Sequence, residues 1–470
     1  MRQDGYHLQA SVTGLTGGQG MIRLKRNLGL IEAIGLSLSV IAPTMGMALN
    51  VTLAVGAAGA AAPLGFAVGT AVVALVGLSF VFFSSRVPQT GSVYAYIRHT
   101  FGPRAGFLAG WCMLLLYIAG GSGSAALVGD FLRAAFEDHG IPIGGWWLVF
   151  ALAALAFATF AAYREMSVAA RMMLVLELSS VAVILYLGTL ILMAVSATDG
   201  GLSTAPFRPD PASGWWGIGY AVVFAVLSFA GFEAATTLAE ETGQPGRAIP
   251  LALICTVVLA GLFFVFASYI QVVGFGVGNM KALAADEAPL NTLALKFGSL
   301  RLATALDIAA AVSAISAVLG TLSAGARMLY ALSRAGLSET AARVHPVHGT
   351  PAVAVLIVGG AMLAGLLVWA PFIGPAHYYD DVGTIGVLAL ILAYLGVTIA
   401  VAAHARRGAG RIWLLVGLAG TLAMAWPLWN SVYPVPAFPD NLWPYAVIAW
   451  VALGGVLLIA RPRIGLDEGT

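Results

Sequence analysis

Long apolar stretches, separated by short polar segments, dominate the pattern of hydrophobic and polar positions along this chain of 470 residues. A helix needs about 20 predominantly apolar residues to cross a bilayer, and twelve stretches approach or exceed that length. They lie near residues 28–58, 63–84, 105–134, 146–163, 167–196, 215–240, 249–275, 303–332, 351–373, 382–404, 411–431 and 442–460. The pattern predicts an all-α polytopic membrane protein with twelve transmembrane helices.

Two of these apolar stretches are interrupted. The first contains Ile41-Ala-Pro-Thr-Met-Gly46, and the sixth contains Ser228-Phe-Ala-Gly-Phe-Glu233. Because lipid cannot pair with free backbone N–H and C=O groups, an interrupted helix must face protein or a water-filled cavity at these points. Interrupted helices at corresponding positions of two halves of a chain are typical of a transporter's substrate site.

The order of the stretches predicts two halves of five helices each, followed by two more helices. Since an odd number of crossings reverses the direction of the chain, the halves have opposite orientations, which is the geometry of an inverted repeat. The predicted parts are an N-terminal tail at 1–27, a ten-helix transport core at 28–404 with repeats at 28–196 and 215–404, helices 11 and 12 at 411–460, and a C-terminal tail at 461–470.

Composition and charge support a membrane location. Hydrophobic residues make up 60% of the chain and charged residues only 9%, with a mean hydropathy of +0.92, whereas soluble domains carry roughly 25% charged residues. Of the 23 Lys and Arg residues, 18 fall in segments on the same side as both termini. Since cytoplasmic loops are enriched in Lys and Arg, we predict a protein of the cell membrane with both tails in the cytoplasm.

The two cysteines, Cys112 and Cys255, lie in apolar stretches and are interpreted as packing residues of the helices.

The first interruption predicts a site for an anion. Pro43 has no N–H and disfavours helical geometry at Ala42, so a first half-helix ends there with free carbonyl groups. A second half-helix begins near Thr44, and the N–H groups of Thr44, Met45 and Gly46 are expected to be unpaired. Such groups, with the positive end of the helix dipole, can bind a carboxylate. The alternative is a simple proline kink that neighbouring helices satisfy.

The second interruption predicts the complementary half of the site. Here the outer half-helix is expected to end near Ser228 or Phe229, and an inner half-helix to begin near Gly231. Together the two interruptions offer carbonyl groups for an amine and amides for a carboxylate near mid-membrane, which favours a zwitterion over a sugar or a simple ion. Phe229 and Phe232 either pack over the substrate or belong to the protein core.

Three carboxylates are predicted to lie inside the membrane, where a charge costs at least about 2.5–3.5 kcal/mol. Glu233 either holds the broken backbone in shape, the role that we favour, or takes up a proton during transport. Glu177 is either a proton carrier or the partner of a helix end. Asp307, near the outer end of its helix, is expected to be solvated.

Other side chains narrow the function further. Ser313 and Ser316 are three residues apart and share a helix face, which fits a sodium site, a proton-linked substitute for one, or close helix packing. The seven His residues lie in loops or at helix ends without metal-ligand spacing, and the sequence has no Gly-rich loop ending in Lys-Ser or Lys-Thr. We expect no metal, no cofactor, no nucleic acid partner and no enzymatic activity. A channel would not explain paired interruptions, and the oligomeric state is left open.

Several short motifs follow one another in a characteristic order over nearly the whole chain. They are Val87-Pro-Gln-Thr-Gly-Ser-Val-Tyr-Ala-Tyr96, Phe101-Gly-Pro103, Gly110-Trp111, Tyr117, Phe229-Ala-Gly-Phe-Glu233, Glu240-Glu241, Pro245, Arg247, Ile249-Pro250, Ser313-Ala-Ile-Ser316 and Ala326-Arg-Met-Leu-Tyr-Ala-Leu-Ser-Arg334. With these motifs the sequence resembles the amino acid–polyamine–organocation superfamily, in particular its bacterial amino acid permeases.

The resemblance implies the leucine-transporter-type fold, a 5+5 inverted repeat with discontinuous helices 1 and 6. It also implies amino acid uptake or exchange by alternating access, coupled to H+ more often than to Na+. Its substrate contacts would fall on Ile41, Ala42, Thr44, Met45, Gly46, Phe229, Ala230 and Gly231.

The chain departs from its relatives at three places. Ala42-Pro-Thr-Met replaces a Gly-Ser-Gly-like break, and Leu227 stands where arginine antiporters carry a Trp, which argues against guanidinium stacking. Ser180 stands where proton-coupled relatives can carry a Lys.

The expected function is a secondary active amino acid transporter in a lipid bilayer. The second hypothesis, a polyamine or organic-cation carrier, would need carboxylates in the cavity, and Glu233 and Glu177 alone qualify.

Overall fold

The computed structural model describes residues 24, 26–87, 91–164, 166–198, 200–433, 435, 438–461 and 464. The predicted tails at 1–27 and 461–470 lie largely outside these residues. The described part of the chain is all-helical, and an isolated parallel bridge between Leu28 and Thr242 is its one extended pairing.

Sixteen α-helices follow one another in the described residues. They are α1 (Leu30–Ile41), α2 (Pro43–Ala58), α3 (Ala62–Ser84), α4 (Val93–Phe101), α5 (Pro103–Glu137), α6 (Trp147–Tyr163), α7 (Met166–Ser196), α8 (Gly214–Ser228), α9 (Pro245–Phe275), α10 (Met280–Ala284), α11 (Pro289–Phe297), α12 (Leu300–Arg334), α13 (Ala352–Ile373), α14 (Pro375–His404), α15 (Arg411–Asn430) and α16 (Trp443–Ala460). A 3₁₀-helix, Phe232–Leu238, follows α8.

Eleven helical segments of the described chain are long and apolar enough to cross a membrane. This agrees with the prediction of a polytopic membrane protein, and each predicted apolar stretch coincides with one or two helices. The count is eleven because α1, α2 and α3 follow one another without a polar interval, as the segment Leu30–Ser84 of 55 residues. Its length is more than twice the roughly 20 residues that one crossing needs.

Three short helices were not predicted from the sequence. They are α4, which precedes α5, and α10 and α11, which lie between α9 and α12. None has more than nine residues, so each is too short to cross a membrane and left no long apolar stretch to detect.

Small residues bring the helices close together. Gly65 and Gly69 of α3 lie directly against Ala221 and Ala225 of α8, where an added Cβ would overlap the alanine side chain. Such small-residue contacts are typical of helix packing in membranes, where shape rather than the hydrophobic effect drives association. The helix α5 packs against both α12 and α14, and the α1–α2 pair lies beside α12.

The final helix is fixed to this assembly by a tryptophan pair. The rings of Trp111 in α5 and Trp450 in α16 stack with centroids 4.5 Å apart. Each indole N–H donates to the backbone carbonyl of the other residue, at 2.9 and 2.8 Å. Of the two free cysteines, Cys112 is buried and Cys255 is half-buried.

Candidate functional site

The first predicted interruption is a real break between two helices. The helix α1 ends at Ile41, Ala42 adopts the left-handed conformation with φ 47° and ψ 65°, and α2 begins at Pro43. Left-handed geometry is costly for a residue with a Cβ, so the surrounding packing must hold Ala42 in place. The proline provides the reason for the break, because it cannot donate the N–H that would continue α1.

The first amides of α2 differ in part from the prediction that all three are unpaired. Gly46 N–H donates to Ala42 O at 2.9 Å, and Met45 N–H donates to Ser313 Oγ at 3.3 Å. The expectation of free amides at Met45 and Gly46 is therefore wrong, because the chain turns back into a helix at once and α12 supplies a hydroxyl. Thr44 lies at the second helical position, where an N–H has no acceptor within the helix.

The second interruption also appears where the sequence predicted it. The helix α8 ends at Ser228, and Phe229 and Ala230 form a turn. Gly231 follows with φ 95°, a left-handed geometry that glycine adopts without strain. The chain then continues as the 3₁₀-helix Phe232–Leu238 rather than as an α-helix.

The two breaks contact each other directly. Ser37 Oγ donates to Phe232 O at 2.7 Å and accepts from Ala235 N–H at 2.9 Å. Val40, the residue before the end of α1, lies so close to Gly231 that a Cβ there would overlap its side chain. The structure thus brings together residues almost 200 positions apart, and a serine of α1 pairs with two backbone groups of the 3₁₀-helix Phe232–Leu238.

A second link joins α2 to the end of α8. Asn50 Nδ2 donates to Ser228 Oγ at 2.8 Å, and Ser228 Oγ donates to Phe224 O. Gln271 Nε2 of α9 donates to Met47 O at 3.1 Å. Within the described part of the chain, the buried Oε1 of Gln271 has no hydrogen-bond partner, so it is an acceptor beside α2 that remains available.

Most of the predicted substrate-contact residues are buried. Ile41, Ala42, Thr44, Met45, Gly46, Phe229 and Gly231 are buried, and Ala230 is half-buried. Phe229 packs edge-on against Phe264, with centroids 4.9 Å apart. Phe232 packs against Phe80 and Tyr394 instead, at 5.3 and 5.5 Å. Phe232 is therefore part of the protein core, which was one of its two predicted roles.

Glu233 holds the second break to two other helices. Its side chain is fully buried, and Tyr117 of α5 donates its hydroxyl to Glu233 Oε1 at 2.9 Å. Tyr394 of α14 donates to the other carboxylate oxygen. A carboxylate with both oxygens accepting hydrogen bonds stabilises a fixed geometry of this segment.

Glu177 is connected to the first break. Its carboxylate accepts hydrogen bonds from Ser313 Oγ at 3.0 and 3.2 Å, and the same hydroxyl accepts from Met45 N–H. Thr44 Oγ1 donates to Ser180 Oγ at 3.0 Å, and that hydroxyl donates to the Glu177 carbonyl. The N-terminus of α2 is thus linked to a buried carboxylate through serine hydroxyls.

The other two predicted polar residues, Ser316 and Asp307, are both buried. Ser316, which shares a face with Ser313, donates to Met173 O of α7 at 3.3 Å, and Ser39 of α1 donates to its carbonyl. Asp307 is 8% exposed, so the expectation of a solvated side chain is wrong. The short helix α11 packs against α12, and Asn291 Nδ2 donates to Asp307, in the N-terminal part of α12, at 3.1 Å.

Sequence reasoning did not identify several side chains that form hydrogen bonds at the two helix breaks or with α2. Ser37, Asn50 and Gln271 are polar residues within apolar helices, and that position was the available signal. Tyr117 was noted as part of a motif but not as a partner of Glu233, since nothing local connects two residues 116 positions apart. In the described residues, no group of three His, Cys, Asp or Glu side chains is arranged to hold a metal ion.

An all-helical membrane protein with two mutually contacting helix breaks is the class defined by this fold and site. Residues 33–402 match the amino acid permease family, so the chain belongs to that family. The resemblance to the amino acid–polyamine–organocation superfamily is thereby confirmed.

Individual relatives differ in the substrates that their names state. The low-affinity putrescine importer PlaP of Escherichia coli is 25% identical over 368 residues, which cover 75% of this chain and 77% of that protein. The branched-chain amino acid permease BcaP of Bacillus subtilis is 26% identical over 363 residues, covering 73% and 75%. The methylthioribose transporter of Bacillus subtilis is 25% identical over 384 residues, covering 78% and 80%. The family and these relatives are transporters.

Proposed function

We propose that this protein is a secondary active transporter, and not an enzyme, that moves an amino acid across the cytoplasmic membrane by alternating access. The observation that carries the proposal is the direct contact of the two helix breaks at Ser37 and Gly231. Breaks that meet inside a membrane protein present backbone dipoles to a ligand without exposing them to lipid.

The substrate would bind with its two charged groups on opposite elements. Its carboxylate would approach the positive N-terminus of α2 at Thr44, whose N–H has no acceptor within the helix and where the helix dipole favours an anion. Its ammonium group would donate to carbonyl groups at the C-terminal ends of α1 and α8. The half-buried turn at Ala230 and the side chain of Phe229 would contact the remainder of the substrate.

We further propose that uptake is coupled to H+ rather than Na+, with Glu177 as the proton carrier. An ionised Glu177 places negative charge next to the N-terminus of α2, through Ser313 and Met45. A substrate carboxylate at the same N-terminus would be repelled by that charge, and a proton on Glu177 removes the repulsion. Proton and substrate would then bind together, which is what a symporter requires.

The proposed organisation follows the sequence prediction. The 55-residue segment Leu30–Ser84 is long enough for two crossings, which would give twelve transmembrane helices with both termini cytoplasmic. The breaks after α1 and α8 would then occupy equivalent places in two five-helix repeats of opposite orientation, with α15 and α16 outside the core.

A second candidate, an organic-cation or polyamine carrier, is favoured by one observation. Glu177 and Glu233 are two fully or nearly fully buried carboxylates near the breaks, and a diamine would need negative charge at both ends. Glu233, however, already accepts hydrogen bonds from two tyrosine hydroxyls. Glu177 is therefore the better candidate to bind an ammonium group of the diamine.

Transport in proteoliposomes distinguishes these functions. Labelled amino acids, putrescine and methylthioribose would be offered at two pH values, with and without Na+, and challenged with unlabelled compounds. We expect saturable uptake of at least one amino acid, faster with an inward proton gradient and unchanged by Na+. Uptake of putrescine with no amino acid competing would instead support the organic-cation carrier.

A further inference from the structure

An apolar groove runs along the outside of the helix pair α6 and α13, away from the helix breaks. It has a volume of about 700 Å³, within the range of small-molecule sites. Leu152, Leu155 and Phe160 of α6 form one wall, and Leu356 and Leu363 of α13 form the other. We name this feature the α6–α13 groove.

The floor of the α6–α13 groove is open because α13 carries small residues there. Gly359 and Gly360 line it, and a Cβ added at Gly360 would meet no atom within 4 Å. Gly359 instead lies against Thr159 of α6, where the helices touch. The groove is therefore a built depression between two packed helices and not a gap between separate parts.

One end of the α6–α13 groove is cationic and polar. Arg164 and His348 line this end, and the Arg164 guanidinium carbon lies 4.8 Å from the centroid of the Phe160 ring. The His348 ring stacks on His345 with centroids 4.7 Å apart. Thr350 Oγ1 donates to Tyr163 O at 2.9 Å and ties this loop to the end of α6. The basic end is thus held in place by both helices.

Two further features fit an elongated anionic ligand. The helix α13 begins at Ala352, four residues after His348, so its first N–H groups and the positive end of its dipole lie at the cationic end. From Leu152 to its end at Tyr163, α6 rises about 17 Å. Half of the hydrocarbon core of a bilayer is about 15 Å thick. The groove therefore spans roughly one leaflet, with its charge at the level of the headgroups.

We propose that the α6–α13 groove binds one anionic glycerophospholipid. An acyl chain would lie along the leucine walls, and the phosphate would accept hydrogen bonds from Arg164 and His348. Length, apolar lining and terminal positive charge together favour a phospholipid over a soluble phosphate, which has no chain to fill the groove. This site is independent of the proposed transport function.

Native mass spectrometry of the purified full-length protein tests the proposal. Phosphatidylglycerol and phosphatidylcholine with identical acyl chains would be titrated separately. We expect one phosphatidylglycerol to bind at least about fivefold more tightly than phosphatidylcholine, since each basic residue near a membrane surface contributes about that factor. The double variant Arg164→Gln/His348→Asn is expected to lose this preference while its phosphatidylcholine binding stays unchanged.

Two more variants distinguish recognition of the lipid headgroup from binding of its acyl chain. Arg104→Gln removes an exposed arginine at the start of α5, outside the groove, and should leave the lipid preference intact. Gly360→Leu fills the open floor and should weaken binding of both lipids. Size-exclusion chromatography checks that each variant is folded. If Arg164→Gln/His348→Asn is not folded, the lipid binding of Gly360→Leu tests the proposal instead.

Three results would overturn the proposal. One is equal affinity of the unmodified protein for the two lipids. Another is a preference that survives in Arg164→Gln/His348→Asn or disappears equally in Arg104→Gln, since binding would then not depend on the groove. The third is unchanged lipid binding in Gly360→Leu, which would place the acyl chain elsewhere.

Discussion

At the scale of single residues, two buried glutamates have different surroundings. Glu233 accepts hydrogen bonds from two tyrosines on two helices, α5 and α14, which suits a residue that fixes the shape of a break. Glu177 accepts from Ser313 and lies beside the hydroxyls of Ser180 and Ser316. A hydroxyl can donate to an ionised carboxylate or accept from a protonated one, so this environment tolerates both states.

The substitution Glu177→Gln tests the proposed proton carrier. It keeps the size of the side chain but cannot ionise, so we expect substrate exchange to persist while uptake loses its dependence on pH and on a proton gradient. Substrate-driven proton entry, followed with a pH-sensitive dye inside proteoliposomes, should also disappear. Glu233→Gln is the matched control, because it removes the other buried carboxylate and should leave the remaining uptake pH-dependent. Normal proton entry in Glu177→Gln would assign the proton to another group.

At the scale of elements, the break after α8 depends on one glycine. Gly231 has φ 95° and lies against Val40, so it satisfies a backbone requirement and a packing requirement together. The segment that follows is tied down by Ser37 and Glu233. The break is therefore a fixed part of the structure rather than a local irregularity.

Replacing Gly231 by alanine should impair transport more than membrane insertion. Left-handed geometry costs a non-glycine residue about 1–2 kcal/mol, which alone shifts a conformational equilibrium by about 5–30-fold. We expect the initial uptake rate to fall by at least that factor, with normal expression. Gly219→Ala in α8 is the control, because a Cβ there meets Trp426 at an ordinary 3.5 Å. Val40→Ala should partly rescue Gly231→Ala, and full activity of Gly231→Ala would contradict the assigned role of the break.

The C-terminal end of α12 provides a second test at this scale. Arg327 and Glu241 form a bidentate pair at 2.5 and 3.0 Å and are 1% and 3% exposed. Two turns further along, Arg334 pairs with Glu240 at 3.1 Å, with 42% and 31% exposure. The two ion pairs join the same two segments but differ in burial.

Breaking these pairs should have unequal effects on stability. Arg327→Met leaves a buried charge without its partner and should destabilise the protein by about 3–5 kcal/mol, whereas Arg334→Met should cost about 0–1 kcal/mol. Thermal unfolding in detergent compares the two variants directly. The double variant Arg327→Met/Glu241→Leu should recover much of the loss, because no unpaired charge then remains. Equal unfolding temperatures for the two single variants would show that burial does not govern this contact.

At the scale of the whole molecule, long-range contacts close the side of the protein on which α1 begins. Leu28 exchanges backbone hydrogen bonds with the segment after the second break, donating to Glu241 O and accepting from Gly243 N–H, both at 3.0 Å. Glu32 at the start of α1 pairs with Arg171 of α7 at 3.1 Å. The N-terminal end of the first half-helix is therefore held by two other segments, and the proposed transport cycle would have to break these contacts to open this side.

The proposed orientation can be measured with single cysteines. In a variant without Cys112 and Cys255, Thr204→Cys and Thr340→Cys each place a thiol at an exposed position in a loop. If twelve helices cross the membrane with both termini inside, a membrane-impermeant maleimide should label Thr204→Cys in intact cells and Thr340→Cys only after permeabilisation. The reverse pattern, or labelling of both in intact cells, would require a different topology.

The helices were largely predictable because their signal is local. An apolar stretch of about 20 residues must form a helix in lipid, whatever its neighbours are. The break after α1 was predictable for the same reason, since Pro43 stops a helix through its own missing N–H. The resemblance to amino acid permeases was also a matter of short motifs, and the family match confirmed it.

The partners of the site residues were decided by tertiary structure. Ser313 lies 136 residues from Glu177 and 268 from Met45, and a helical pattern states which face is polar but not which helix meets it. Asp307 shows the consequence, because a position near a helix end predicts exposure until the unforeseen α11 covers it. The sequence by itself determined the membrane helices, their interruptions and the family. Only the packing of α1, α7, α8 and α12 decided which amide of α2 is paired with Ser313 and which carboxylate that serine links to it, since those contacts join distant parts of the chain.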